Sequence, residues 1–340
     1  MAHNKTAIDC QQGLRQAWHG LTQILSKILL PESWLAKWDL VKSPLFSADG
    51  TESEYCELVC TDNKSIRVGR PVHKETYGFL SNADFLAIVR DSMELIPGAI
   101  VESLGSVCAR GRIFVGISVP EVKELKAAGR VFYPYLNFLS SHDMSAPFLV
   151  NMSTVCPVCD NTFRANLHDT ENKAFRVIIP HTKNAKMAVA NVPRLVDCYC
   201  GTAAKFAAIM DSMANESVST SQAERFFAGF LAAKDDNEAN RIVTTRADGI
   251  KISTRAENQR NRLVELFVSG KGNRGNDRSD LFGAITDYYS HESSGGRDVW
   301  KQIASSEFGS GQTSKDRAYG ILQNNDRTDL MIRAGDALLV

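Results

Sequence analysis

The sequence has no apolar run near the roughly 18–20 residues that a membrane-spanning helix needs. Its N-terminus also lacks a basic stretch followed by an apolar one, the pattern of a secretory signal peptide. We therefore expect a cytoplasmic protein without a membrane partner. In that compartment the eight cysteines are expected to be reduced thiols rather than a disulfide framework.

The common catalytic fingerprints are also missing. The sequence contains no Gly-x-Ser-x-Gly elbow, no His-Glu-x-x-His pair, no Walker loop and no dinucleotide fingerprint. Ser141, His142 and Asp143 are the residue types of a hydrolase triad, but three adjacent side chains point apart and do not converge on one reacting atom. We therefore predict a protein that is not an enzyme and that needs no cofactor.

Net charge is absent as well, because Lys and Arg together number 39 and so do Asp and Glu. A polyanionic partner would have to be bound by a local patch and not by the field of the whole molecule. The hydrophobic content of 44% in 340 residues is sufficient for a sizeable core. Composition thus indicates a folded globular protein and leaves the question of nucleic-acid binding open.

Periodicity predicts an α+β fold, with an antiparallel β-meander flanked by helices in the N-terminal half. Helical spacing is found at 21–29 and again from Ser81 or Asn82, either of which can cap a helix, to Pro97, which ends it. Alternating patterns predict strands at 55–60, 65–72, 100–107, 113–119, 131–139, 148–155 and 175–179.

The C-terminal half is predicted to be helical throughout. The amphipathic stretches are 184–215, 220–234, 255–269, 279–291, 298–307 and 314–324. Residues 235–254 are polar and are interpreted as a linker. We therefore divide the chain into an α+β domain, 1–200, and a helical region, 201–340.

Two patterns suggest metal sites. Cys156 and Cys159 have the spacing of a zinc knuckle, and Cys198 and Cys200 would complete a four-thiolate set. The simpler interpretation is that they are small buried residues, since the second pair is separated by one residue and no basic, Gly-rich knuckle surrounds either pair.

A helix with the spacing of a cation site is the second such pattern. Asp280, Asp287, His291 and Glu292 share one predicted helix, with Asp287 and His291 one turn apart, as in a divalent-cation site for nuclease chemistry. A solvated helix face with a modest ion pair explains the same spacing.

Basic residues interleaved with aromatic ones suggest a phosphate-binding track between Phe163 and Lys186. Its cations are Arg164, Lys173, Arg176, His181, Lys183 and Lys186. A second basic cluster comprises Arg241, Arg246, Lys251, Arg255, Arg260, Arg262, Lys271, Arg274 and Arg278. Arg110 and Arg112 lie at a predicted hairpin end, from which side chains reach outward. An ordinary solvated face is the alternative for each run.

Several motifs resemble a known family, the phage/plasmid-like proteins built on a domain of unknown function, number 932. In the first 200 residues they are Ala17-Trp18-His19-Gly20-Leu21, Trp38-Asp39-Leu40-Val41, Val68-Gly69-Arg70 before Tyr77, Ser141-His142-Asp143, Cys159-Asp160-Asn161-Thr162 and Pro180-His181-Thr182-Lys183. In the second half they are Asn261-Arg262-Leu263, Ala284-Ile285-Thr286-Asp287-Tyr288-Tyr289, His291-Glu292 and Phe308-Gly309-Ser310-Gly311. The resemblance implies a mobile-element origin and a shared fold, without a known activity.

The order of elements also resembles, at the level of fold alone, phage single-strand annealing proteins of the RecT and Red beta type. This likeness favours a nucleotide-independent protein that binds and anneals single-stranded DNA as a homo-oligomeric ring or filament, with a phage exonuclease or single-strand-binding protein as a further partner. Phosphates would be contacted by Arg110, Arg112, Arg164, Lys173, Arg176, His181, Thr182, Lys183 and Lys186. Phe163, or a sheet tyrosine such as Tyr133 or Tyr135, would stack on bases.

Two other functions stay open. The first is an interaction protein that modifies host defence or replication without contacting DNA. The second is a metal-dependent nuclease built on Asp287, His291 and Glu292.

Overall fold

The computed structural model describes residues 10–12, 23–24, 29–96, 98–107, 110–118, 125–156, 161–164, 177–182, 197–245, 253–270, 272–293 and 310–339. Within these ranges the backbone alone is described at 10–12, 23–24, 107, 125–126, 131–134, 151–156, 161–164, 177–178 and 197–203.

The chain forms two compact units. The first comprises Met1–Lys123, Tyr133–Val155 and Asp169–Ala203. The second comprises Glu124–Phe132, Cys156–His168 and Ala204–Val340. The predicted boundary between residues 200 and 201 falls within a helix, Asp197–Ala214, so the two-domain division stays a prediction in its detail.

The described strands, numbered in chain order, are β1 (Cys10–Gln12), β2 (Gln23–Ile24), β3 (Leu40–Phe46), β4 (Glu52–Cys60), β5 (Arg67–His73), β6 (Ile100–Val107), β7 (Arg112–Ser118), β8 (Leu125–Ala127), β9 (Arg130–Ser141), β10 (Phe148–Cys156), β11 (Asn161–Arg164) and β12 (Val177–Ile179). The α-helices are α1 (Asn82–Glu94), α2 (Asp197–Ala214), α3 (Thr220–Ala232), α4 (Asp236–Thr245), α5 (Thr254–Ser269), α6 (Arg278–Asp287), α7 (Ser310–Leu322) and α8 (Asn325–Leu339). The predicted α+β class is confirmed.

The meander is the main sheet of the first unit. Its strands follow the order β10-β9-β7-β6-β1-β2, β12 pairs with β10, and each neighbouring pair among β6, β7, β9 and β10 is antiparallel, as predicted. Apolar side chains from opposite strands, such as Val115 and Phe138, are fully buried. Helix α1 packs against the sheet through Phe85, whose ring centroid lies 6.1 Å from that of Phe148 in an edge-to-face arrangement. The Ser81 side chain caps α1 by accepting a hydrogen bond from the Asp84 amide.

A second, smaller sheet of the first unit has the order β3-β4-β5 and contains the predicted hairpin. Asn63 stabilises the turn of that hairpin by accepting hydrogen bonds from the amide and hydroxyl of Ser65. One prediction nearby is wrong: Gln23 and Ile24 are extended and pair with β1, although helical spacing had placed them in a helix. Sheet pairing overrides local periodicity at these two residues.

The second unit is mainly helical, as predicted, but the linker assignment for 235–254 is wrong for residues 236–245, which form α4. Asp235 caps this helix by accepting a hydrogen bond from the Glu238 amide. Two residues one turn apart, Ala239 and Ile242, supply the buried face. Because the segment has so few apolar residues, its helical periodicity did not stand out in a sequence that is mostly polar. None of the described helices is long and apolar enough to cross a membrane.

Candidate functional site

Three motifs from the first 200 residues meet in the first unit. Gly69 of β5 has a φ of +74°, and a Cβ added there would lie 2.7 Å from the Asp143 Cα. Tyr77 forms an antiparallel bridge with Thr182. The segments around Gly69, Tyr77, His142 and Thr182, far apart in sequence, therefore form one group, which we call the convergence site.

The Ser141-His142-Asp143 motif does not form a triad, in agreement with the sequence argument. Both the His142 and the Asp143 amide donate to the carbonyl of Gly111, at 2.7 and 3.2 Å. This turn separates the two side chains, because His142 is fully buried while Asp143 lies partly exposed beside Arg112. The Asp143 carboxylate accepts hydrogen bonds from the amide and the hydroxyl of Ser145.

The ring of His142 is held in one tautomer. Asn82 donates from its amide nitrogen to the carbonyls of Leu35 and Trp38, so its oxygen accepts from His142 Nε2–H at 3.0 Å. Burial, reinforced by the nearby positive charge of His181 when protonated, lowers the pKa of His142 to about 3. His142 is therefore neutral, and within the described part of the chain its Nδ1 has no hydrogen-bond partner.

Tyr77 and His181 form the shallower part of the convergence site. Their ring centroids are 5.8 Å apart with the planes tilted by 36°. Burial and the neighbouring Asp143 carboxylate raise the pKa of Tyr77 to about 12. Burial lowers the pKa of His181, against the opposing effects of the Ala146 and Gly78 carbonyls and of Asp143. The site therefore has a neutral, buried histidine, His142, beneath a partly exposed edge that includes the Asp143 carboxylate.

The two arginines of the β6–β7 hairpin do not project freely into solvent, contrary to expectation. The Arg110 guanidinium lies 5.0 Å from the Trp34 ring centroid and 4.7 Å from that of Trp38, and it pairs with Asp62 at 2.7 Å. Arg112 donates from Nε to the Ser145 hydroxyl at 2.7 Å. Hairpin position indicated exposure, but aromatic and acidic groups from other segments engage both guanidinium groups.

Arg110 is therefore expected to stabilise the fold. Arg110→Ala removes two cation–π contacts and an ion pair, and we expect it to lower the free energy of unfolding by about 1.5 kcal/mol. Urea unfolding measures this loss, with Arg90→Ala, an exposed helix arginine, as the control. Unchanged stability together with weakened DNA binding would instead support the sequence-based prediction that Arg110 contacts DNA.

The other predicted nucleic-acid residues are described in part. Thr182 is exposed, and His181 is half-buried in the convergence site. Tyr133 lies in β9 and Phe163 and Arg164 lie in β11, where the backbone alone is described. Lys173, Arg176, Lys183 and Lys186 lie outside the described residues.

Sequence reasoning did not select Arg70, which is exposed and directly follows Gly69 at the convergence site. A β-bulge in the pairing of β4 with β5, between Cys56 and Leu58, lies opposite it. The Val68-Gly69-Arg70 motif was the available signal, but an isolated arginine in a strand gave no reason to group it with the basic track.

In the predicted cation site of the second unit, all four side chains already have ionisable partners. His291 Nε2 lies 3.9 Å from Asp287 Oδ1, which agrees with the alternative interpretation of a modest ion pair between residues one turn apart. Glu292 binds Arg262 through both carboxylate oxygens. Asp280 is fully buried and pairs with Arg130. Across the described ranges, no group of three or more His, Cys, Asp or Glu side chains is arranged to hold a metal ion.

Five of the six described residues of the second basic cluster pair with carboxylates within the same unit, while Arg246, Lys251 and Lys271 lie outside the described residues. Its ion pairs are Arg241 with Glu238, Arg260 with Glu224 and Glu257, Arg262 with Glu265 and Glu292, Arg274 with Asp277, and Arg278 with Glu216. This arrangement matches the alternative interpretation of an ordinary solvated face.

The candidate zinc cysteines stay a sequence-based hypothesis. Cys156 ends β10, and Cys198 and Cys200 lie in the first turn of α2, all three with the backbone alone described. Cys159 lies outside the described residues.

Comparison with known proteins gives one match. The profile of a protein family described as Domain of unknown function (DUF932) matches residues 71–320 of the 340. The matched range contains Tyr77, His142, Asp143 and His181 of the convergence site. No curated protein and no solved structure matches the chain.

Proposed function

The chain belongs to the DUF932 family, whose description assigns no activity, and we propose from its own residues that it binds and anneals single-stranded DNA. The binding is non-covalent and independent of nucleotide hydrolysis, and the protein acts as a homo-oligomer. We further propose a phage or plasmid origin, a cytoplasmic location, and an exonuclease or single-strand-binding protein of the same element as partner.

The convergence site is the observation that carries this proposal. Thr182 of this site is exposed, and so is Arg70, the residue that follows Gly69 in β5. Thr182 is followed directly in sequence by Lys183, with Lys186 three residues later, and Arg176 directly precedes β12. Cations that flank one short strand in sequence, together with an exposed arginine in β5, are the residue types that neutralise the phosphates of a DNA strand.

Base contacts would come from aromatic rings, with Tyr133 and Phe163 as the proposed stacking residues. Stacking uses the face that every base has, so binding is expected to be nearly indifferent to base order. Neutralising phosphates releases counterions, and affinity should therefore fall steeply as salt rises.

Removing the surface cations tests the proposed contact directly. The triple variant Arg70→Ala, Lys183→Ala, Lys186→Ala is expected to raise the Kd for a labelled oligonucleotide by about tenfold or more. The slope of log K against log salt should become shallower by about 2, since each phosphate contact on a single strand contributes about 0.7. Fluorescence anisotropy at several salt concentrations measures both.

The matched control is Lys37→Ala, Lys64→Ala, Arg90→Ala, which removes three exposed cations of the same unit outside the convergence site. We expect this control to bind within about twofold of the wild type. Equal weakening of both triple variants would mean that binding depends on general charge alone and would place the contact elsewhere.

An interaction protein without DNA contact is the second candidate. The internal pairing of so many described arginines favours it, because cations already bound to carboxylates attract phosphate weakly.

A further inference from the structure

Lys42 closes the turn that follows β5. Its ammonium group, projecting from β3, donates to the carbonyl of Lys74 at 2.6 Å and to the carbonyl of Tyr77 at 2.9 Å. The Tyr77 amide also donates to the carbonyl of His73. Tyr77 is thus fixed to the small sheet by its own backbone.

The same tyrosine holds the segment that leads out of β12. Its backbone bridges Thr182, and its ring lies against the ring of His181. Thr182 itself donates to the carbonyl of Pro180 at 2.8 Å, which closes a tight turn at the end of β12. Lys42, Tyr77 and Thr182 therefore tie a strand end of the main sheet to the small sheet.

We propose that Lys42 and Tyr77 are positioning residues for DNA binding: they clamp residues 180–182 and so hold His181 and Thr182, two of the predicted DNA contacts, in place. This inference rests on the proposed function. Ordering one backbone residue costs about 1–2 kcal/mol, so a contact segment that is fixed before DNA arrives binds more tightly than one that must be ordered during binding.

The chemistry of Tyr77 separates this role from a direct one. The phenol oxygen is buried and has no hydrogen-bond partner within the described part of the chain. The clamp therefore depends on the flat ring and the backbone, and the hydroxyl group is dispensable. A tyrosine that contacted DNA directly would instead need an accessible hydroxyl group or ring face.

Three variants test the clamp. Tyr77→Ala is expected to raise the Kd for a labelled oligonucleotide about tenfold, the change that corresponds to ordering about one residue during binding. Tyr77→Phe keeps the ring and should bind within about twofold of the wild type. Tyr55→Ala, which removes an exposed tyrosine from the same small sheet, should also match the wild type. If Tyr77→Ala does not fold, Tyr77→Leu replaces it with the same expectation.

Hydrogen exchange of the peptide covering residues 177–183 tests the clamp without DNA. We expect exchange in Tyr77→Ala to be about tenfold faster or more than in the wild type and in Tyr77→Phe. Equal exchange in all three proteins overturns the clamp, as does equal DNA affinity. If the wild type does not bind DNA but exchange is still faster in Tyr77→Ala, the clamp is supported and only the proposed function is overturned.

Discussion

Gly335→Ala is expected to destabilise the helical unit by about 3 kcal/mol or more. Helices α3 and α8 cross with their backbones in contact, and glycine occupies both sides of the crossing. A Cβ at Gly335 would overlap the carbonyl of Arg225, and one at Gly229 would overlap the carbonyl of Met331. Because the obstructing atoms are backbone atoms, the helices themselves must move apart, and the buried contacts between them are lost.

Gly320→Ala provides the matched control within the same unit. Gly320 also lies in a helix, α7, but an added Cβ would meet only the end of the Arg327 side chain, at 3.7 Å. This substitution should be neutral or should raise stability by up to about 1 kcal/mol, since alanine favours a helix. Urea or thermal unfolding measures both variants. Wild-type stability in Gly335→Ala would show that the two helices do not approach as described.

Stability is also expected to fall steeply on mild acidification. The pKa of His142 is lowered by burial, and by the charge of His181, to about 3, whereas an unfolded histidine titrates near 6.5. Between these values the unfolded state binds a proton that the folded state does not. The stabilisation is therefore complete above about pH 6.5 and is lost progressively, by about 1.4 kcal/mol per pH unit, as the pH falls toward 3.

Between pH 7 and pH 5 the expected loss from His142 is about 2 kcal/mol. The lowered pKa of His181 acts in the same direction. His142→Gln keeps a side-chain N–H for Asn82 but does not titrate, so its unfolding free energy should change less over this range. Urea unfolding at several pH values gives the two slopes. Equal slopes for wild type and variant would contradict the buried, neutral state of His142.

Much of the fold follows from local sequence patterns. The runs that predict β6, β7, β9 and β10 succeed because they are rich in β-branched and aromatic residues, which favour strands, and β7 is buried at every position from Ile113 to Ile117. The start of α1 is predicted by Ser81 because an N-cap is a local interaction. Helix α4 was missed because tertiary packing of only two apolar residues, Ala239 and Ile242, supports it.

The candidate site was harder to predict. His181 and Thr182 were selected from local charge and composition, but their contact with Tyr77 depends on a pairing between residues more than a hundred positions apart. No spacing rule encodes such a contact. For the same reason Arg110 was assigned to a surface, although Trp34, Trp38 and Asp62 surround it from distant segments. Arg70 was missed because only folding places its neighbour, Gly69, beside Asp143.

The central claim is that the chain binds single-stranded DNA through phosphate contacts and acts as an oligomer. The most direct measurement is a fluorescence-anisotropy titration of a labelled single-stranded oligonucleotide at low and at physiological salt, with light scattering to determine assembly size. We expect salt-sensitive binding, little dependence on base sequence, and a mass well above that of one chain. Absence of binding at low salt would contradict the claim and favour the interaction protein.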